Sequence, residues 1–257
     1  MKPFLSIIIP AYNEEKRLPL TLLDMDKNLE KAEFSYEIIV VDDGSKDATV
    51  EIVKRMMHAV KNLHIIENSE NHGKGWVVRK GMLEAQGNWR LFTDADNSTS
   101  IDQVGKMFPY FSAGRGSDLG TKGSYDVIIG SRGIKGAELH PPQPWYKQIL
   151  GKLGNLFIQV MVLWGITDTQ CGFKCFSEES AERVFKIMKI DRWGFDVEAL
   201  ALAKKFGYRI KEVPVYWVND FNSKVSLLGY LSTFWEVMKI KWWFIRDVYG
   251  IRKNDAL

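Results

Sequence analysis

The sequence runs to 257 residues, 46% of them hydrophobic and 26% charged, with a formal net charge of +3. A chain of that size buries one large core, so a single α/β domain is expected and long disorder is excluded. The charge is too balanced for a nucleic-acid partner, and two cysteines, Cys171 and Cys175, make no disulfide framework; they read as packing thiols in a reduced, cytosolic setting.

The apolar run in "PFLSIIIPAYNEE" is short and ends in Pro and acids, so no secretory leader is expected there. "LFIQVMVLWGI" has about half the ~20 apolar residues a membrane crossing needs, so a soluble or surface-lying chain is expected.

In chain order, "LSIIIP" (5–10) and "EIIVVDD" (37–43) are β-branched runs that end abruptly in polar residues, with helical patterns near 15–31 and 47–59. "LHIIEN" (63–68) is a third strand, a helix follows over 75–85, and "WRLFTD" (89–94) and "DVIIGS" (126–131) are two more strands. Continuous apolar strands alternating with helices predict a mostly parallel sheet covered on both faces. "GRGSDLGTKGS" (114–124) reads as a loop. Further on come a helical pattern at 145–164, a short "FKCF" strand, helices near 178–188 and 195–206, a strand at 208–217 and a last helix at 226–248.

"PAYNEE", "DDGS", "DADNS" and "GSR" all fall at strand ends, where such sheets place their ligands. Asp94 and Asp96, two residues apart, repel each other unless a counter-charge is present. A divalent cation supplies one and leaves sites for substrate phosphates; a plain acidic cap on the helix near Ile101 is the alternative. Asp42 and Asp43 could accept hydrogen bonds from a base or ribose, or simply cap the next helix. In "NHGKGWVVRKGM", Gly73, Lys74 and Gly75 open a helix with Arg79 one turn on, which suits a diphosphate or merely a solvated basic face. Neither G-x-G-x-x-G nor a Walker-type loop is present.

Taken in order, "PAYNEE", "VVDDGS", "NHGKGWVVRKGM", "TDADNS", "GSR", "DTQCGFK", "WGFDVEAL" and "EVPVYW" resemble the family 2 inverting glycosyltransferases, and within them the dolichyl-phosphate β-glucosyltransferase branch. The resemblance covers residues 4 to 225. It implies a GT-A nucleotide-diphospho-sugar transferase fold, a nucleotide-sugar donor, Mg²⁺ or Mn²⁺, and a polyprenyl-phosphate acceptor. It implies Pro10, Tyr12 and Glu14 in a base pocket, Asp42 on the nucleotide, and Asp94 and Asp96 on sugar and metal. Arg132 and Lys224 are implied near phosphates, and Asp168 near the reacting sugar as an orienting group or base. UDP-glucose is expected over GDP-mannose on the same grounds. The branch's late "GSK" turn is "NSK" here, with Asn222 in the glycine's place.

Of Asp196 and Glu198, which cannot share a helix face, one is expected at the site, with Trp193 or Phe195 packed beneath it. A soluble or lipopolysaccharide acceptor, a sugar-nucleotide pyrophosphorylase and a non-catalytic sheet that binds a membrane partner are the competing readings. Residues 1–225 are expected to form the GT-A domain and 226–257 an amphipathic helix and tail.

Two helices suggest a peripheral membrane protein. At 145–164, Trp145, Tyr146, Ile149, Leu150, Leu153, Leu156, Phe157, Val160 and Trp164 share a face opposite Lys147, Gln148, Lys152, Asn155 and Gln159. In the last helix Trp235, Met238, Trp242 and Ile245 form an apolar face, yet Ile240 and Trp243 fall within the polar one. Anchoring on a membrane is expected, with homodimerisation through Trp243 as the alternative.

Overall fold

The computed structural model describes residues 2–111, 124–142, 145–219 and 227–251. Its strands are β1 (Leu5–Ala11), β2 (Tyr36–Asp42), β3 (Leu63–Glu67), β4 (Trp89–Thr93), β5 (Val127–Ser131), β6 (Glu138–His140), β7 (Phe173–Ser177), β8 (Ile210–Pro214) and β9 (Tyr216–Val218). Its α-helices are α1 (Leu18–Leu29), α2 (Thr49–Met56), α3 (Lys74–Glu84), α4 (Trp145–Met161), α5 (Glu178–Ile187), α6 (Phe195–Lys205) and α7 (Leu227–Ile245).

Among these residues the main sheet has the order β3-β2-β1-β4-β7-β5-β8, and β6 pairs with β9 in a separate ribbon. All neighbours in the main sheet are parallel except β7, which runs antiparallel to both β4 and β5. The expected mostly parallel α/β sheet is therefore present, with one reversed strand inside it. The single strand expected over 208–217 is two: β8 pairs with β5 as far as Ser131↔Pro214, and β9 then leaves to join β6.

Strand residues alternate between two cores. Ile8, Val41, Phe92 and Ile129 face α3, α5 and α6, while Ile7, Ile9, Val40, Leu91 and Ile128 face α1 and the short 3₁₀ turns after β4. Both faces are covered, so the strands read as unbroken apolar runs. Helix α5 starts where Ser177 caps Ser180 N–H and Glu178 and Glu179 fill the first turn, favourable charges at a helix N-terminus.

Helices α4 and α7 pack together through Phe157 and Phe234, stacked with centroids 4.6 Å apart. Their apolar side chains are divided in an unexpected way. In α7 it is Val237 and Ile240 that are buried and Trp243 that is half-buried, edge-on to Tyr249. Trp235, Met238, Trp242 and Ile245 are exposed. Part of the face that looked polar thus turns to the core: Glu236 points inward and accepts a hydrogen bond from Gly194 N–H at the start of α6, while Lys239 and Arg246 stay exposed. Trp243, assigned above to self-association, faces its own domain. In α4 the polar Asn155 and Gln159 likewise tie the helix to the 165–169 loop, through Ile166 O, Thr169 Oγ1 and Gly165 N–H. No helix of the described residues is long and apolar enough to cross a membrane.

Candidate active site

Strand β1 pairs with β2 along its whole length but with β4 only as far as Ile8↔Phe92. Pro10, which has no N–H to donate, lies just beyond that last β4 pair, where the ladder asks nothing of it. From there the two strands part, and the sheet order runs one way from β1 and the other from β4. That divergence is the crevice where open α/β sheets bind ligands. Pro10, Tyr12 and Glu14 lie on one side of it, Asp94 and Asp96 on the other.

Asp94 is held from two directions. Lys74 Nζ, at the first position of α3, lies 2.5 Å from Asp94 Oδ1. Beneath it Gly172 leaves no room for a side chain: a Cβ there would come within 2.0 Å of Asp94 Oδ2. Asp96 has no such cation; its Oδ1 accepts the Ser98 N–H at 2.9 Å, and burial, then the neighbouring Asp94, raises its carboxyl above the ordinary range. Lys74 is pulled down by burial but carried above its usual value by Asp94, Asp196 and Asp96 together.

A second, deeper ion pair underlies the first. Lys174, in the middle of β7, is fully buried; its Nζ lies 2.6 Å from Asp196 Oδ1, donates to Cys171 O, and sits 5.3 Å from the Phe92 ring centroid. Burial raises Asp196, against the pull of Lys174 and Lys74. Asp196 is therefore the acid of "WGFDVEAL" that reaches the site, with Phe195 packed on Phe92 at 5.5 Å below it. Glu198 points the other way, accepting from Lys189 N–H, Ile190 N–H and Tyr249 OH. The sequence reading missed Lys174, Gly172 and Glu212.

Arg132 and Asp168 form a fork: Nε to Oδ2 at 2.7 Å and Nη2 to Oδ1 at 2.9 Å, with the Arg132 backbone N–H also on Oδ2. Glu212 fixes the loop beneath by accepting from Thr167 and Asp168 N–H, and Trp217 lies 4.6 Å from the guanidinium. Burial pushes Asp168 up, but the guanidinium outweighs it and holds the carboxyl down at about 2. The same pairing raises Arg132. Cys171 and Cys175 are buried, and burial pushes the Cys171 thiol up to about 12, as befits packing.

On the donor side the acids are engaged with backbone. Asp42 Oδ2 accepts from Gly44 and Ser45 N–H, and Asp43 accepts from His72 and Gly73 N–H and from Asn71. Burial raises Asp43. Glu14 carries Arg17 in a two-point pair at 2.7 Å, and Tyr12 is partly exposed at the crevice. Gly73 and Gly75, read above as opening the helix to an anion, also admit the backbone of another segment. Cβ atoms on them would meet Asp191 O at 2.5 Å and Ile190 O at 2.6 Å, and Trp76 N–H is given to Asp191 O. Arg79 belongs to the same contact, binding Met188 O and Asp191, and is not brought to the carboxylate cluster. Lys224 and Asn222 lie outside the described residues.

No group of three or more His, Cys, Asp or Glu side chains is gathered for a metal among the described residues. Two carboxylates without a third suit Mg²⁺ or Mn²⁺, which take part of their shell from substrate phosphates and water. The ammonium of Lys74 on Asp94 shows that this position accepts a cation.

Comparison with known proteins identifies the family and the fold. The family model "Glycosyl transferase family 2" matches residues 6–185. Dolichyl-phosphate beta-glucosyltransferase of Dictyostelium discoideum is 34% identical over 97% of this chain and 77% of its own, and that of Drosophila melanogaster 36% over 96% and 74%. Among solved structures, glucosyl-3-phosphoglycerate synthase from Mycobacterium tuberculosis in complex with UDP superposes with a TM-score of 0.64 at 14% identity, covering 93% of this chain and 80% of that one. Mannosyl-3-phosphoglycerate synthase from Rubrobacter xylanophilus gives 0.64 at 13%, covering 98% and 76%. The fold is GT-A, the pyrophosphorylase and non-catalytic readings are set aside, and the chain belongs to glycosyl transferase family 2.

Proposed function

We propose that this glycosyltransferase moves glucose from UDP-glucose to a dolichyl or other polyprenyl phosphate, with inversion, assisted by Mg²⁺ or Mn²⁺ at a membrane surface. The observation that carries it is the 34–36% identity, over nearly the whole chain, to relatives named for glucosyl transfer to dolichyl phosphate. The UDP and Mn²⁺ bound to glucosyl-3-phosphoglycerate synthase, a fold neighbour, are consistent with the donor and metal.

In this reading Asp94 and Asp96 hold the cation, which when bound stabilises the departing nucleoside diphosphate as a Lewis acid. The acceptor phosphate monoester has its second pKa near ~6 and is largely a dianion at neutral pH, so it needs little help from a base. Asp168, held down at about 2 by Arg132, is a poor proton acceptor at neutral pH. Its role is to set the Arg132 guanidinium, which faces the acceptor phosphate. A cation beside Asp96, which burial and Asp94 raise, favours its ionised form. In-line attack at the anomeric carbon inverts the centre without a covalent enzyme intermediate.

The membrane reading rests on α4 and α7. Leu150, Leu153 and Val160 in α4, Trp164 just after it, and Trp235, Trp242 and Ile245 in α7 are all exposed. The Arg246 guanidinium lies 4.4 Å from the Trp242 ring, a cation and an amphipathic ring that suit a headgroup region.

Calorimetry with UDP-glucose, UDP-galactose and GDP-mannose, each with Mn²⁺, tests the donor. UDP-glucose is expected to bind tightest; tighter binding of GDP-mannose overturns the assignment. Transfer of labelled glucose to a short-chain polyprenyl phosphate, and none to a soluble sugar, is the matching test of the acceptor.

A further inference from the structure

We propose that Lys74 is the resident counter-ion of Asp94, displaced to Asp196 when a divalent cation takes the Asp94-x-Asp96 pair. The inference rests on the metal-dependent reading above and concerns how this chain keeps its carboxylates compatible before the metal arrives.

The geometry confines motion to one side chain. The backbone before Lys74 is pinned, since Asp43 accepts the N–H groups of both His72 and Gly73. The first turn of α3 is pressed against Ile190 O and Asp191 O, with no space at Gly73 or Gly75 for give. Asp94 is equally fixed, because Gly172 lies against its carboxylate. An ammonium 2.5 Å from Asp94 Oδ1 occupies the space and the charge a metal ion requires. A metal ion on Asp94 Oδ1 repels the ammonium already there, which drives Lys74 from that oxygen.

Asp196 is the place for it. It lies in the first turn of α6, next to Phe195, whose ring is 5.9 Å from the Lys74 Nζ. The rings of Trp193 and Phe195, 5.8 and 5.9 Å from Nζ, line the ammonium's surroundings with π-faces that tolerate a cation. Lys174 already holds Asp196 Oδ1 from below, so the acceptor carboxylate is oriented before Lys74 reaches it.

The test is a double-mutant cycle read by Mn²⁺ affinity, using calorimetry or the free-Mn²⁺ EPR signal, without nucleotide and then with UDP. Lys74→Met, with Lys74→Gln as a second variant and a thermal melt as the folding control, is expected to tighten Mn²⁺ binding roughly two- to fivefold without nucleotide, the scale of one part-exposed ion pair. Asp196→Asn keeps an oxygen for Lys174. It is expected to weaken Mn²⁺ binding several-fold where Lys74 is present and to have no effect in the Lys74→Met background. Unchanged or weaker binding in both Lys74 variants overturns the proposal. An Asp196→Asn effect of the same size in both backgrounds overturns it too, since that is plain electrostatics. If the wild-type protein binds no Mn²⁺ with or without UDP, the metal-dependent reading itself fails, an outcome distinct from the other two.

Discussion

The carboxylate of Asp94 rests directly on Gly172, so closely that a methyl group there would overlap Oδ2 at 2.0 Å. Gly172 is the residue before β7, the reversed strand, and its neighbours Cys171 and Phe173 are fully buried. The backbone therefore cannot retreat, and Asp94 must. Gly172→Ala is expected to weaken donor and metal binding at least tenfold while costing about 1–3 kcal/mol of stability, the usual toll of overpacking. Calorimetry with UDP and Mn²⁺ beside a urea melt checks both; normal binding by the alanine variant would show that Asp94 is not fixed by this contact.

The Arg132–Asp168 fork makes a claim about pH. Asp168 titrates near 4 in an unfolded chain and at about 2 here, so folding favours its ionised form. The stabilisation is complete above the unfolded value and is lost as pH falls from about 4 through about 2. It amounts to about 2 kcal/mol. Urea melts of wild type and Asp168→Asn at pH 6 and pH 2.5 should show a gap that narrows at the lower pH. The pH–rate profile should show no acid limb from Asp168; the limb expected instead follows the acceptor's second ionisation near ~6.

The location of the candidate site was legible because the apolar strands stop abruptly. "IIIP", "VVDD" and "LFTD" each carry buried β-branched or aromatic residues up to the last position, then polar ones. Parallel strands with both faces covered can only be written that way. What was not legible depends on partners distant in sequence. Lys174 inside "FKCF" looks like an exposed strand residue, and only Asp196, brought in by α6, explains its complete burial. Glu236 looks like solvent-facing helix surface until Gly194 N–H is found to need an acceptor. Periodicity reports which residues are polar, not which polar residues have a partner inside.

Glu198 supports the site at one remove. It is fully buried, raised by burial, and accepts from three donors. Glu198→Gln turns an N–H₂ group toward one of those donors and leaves it unsatisfied, at an expected cost of about 1–3 kcal/mol. Tyr249→Phe removes one donor and leaves the two backbone bonds, so about 1 kcal/mol is expected. Because Glu198 anchors the 189–190 backbone, whose Ile190 O packs on Gly75, the glutamine variant should also bind UDP more weakly, and the phenylalanine variant should not. Thermal melts and calorimetry on the two proteins would separate the effects; equal costs would contradict this ranking.

Helix α7 offers the sharpest separation of fold from surface. Ile240 is completely buried in the core shared with α6, whereas Trp242, two residues on, is 52% exposed with Arg246 over its ring. A residue that packs the core and one that meets a lipid surface should fail in different assays. Ile240→Ala should cost about 2–4 kcal/mol by leaving a cavity, and the folded fraction should still float with vesicles. Trp235→Ser combined with Trp242→Ser should leave the melting temperature nearly unchanged, since neither ring is buried, yet reduce flotation with anionic liposomes several-fold. In α4, Leu153→Ser with Leu156→Ser should act like the tryptophan pair, because both leucines are exposed beside the Phe157–Phe234 contact. Donor binding should survive in the surface variants. If they float as well as wild type but change from dimer to monomer in sedimentation, the exposed stripe is a contact between two copies of this chain, and the membrane reading is wrong.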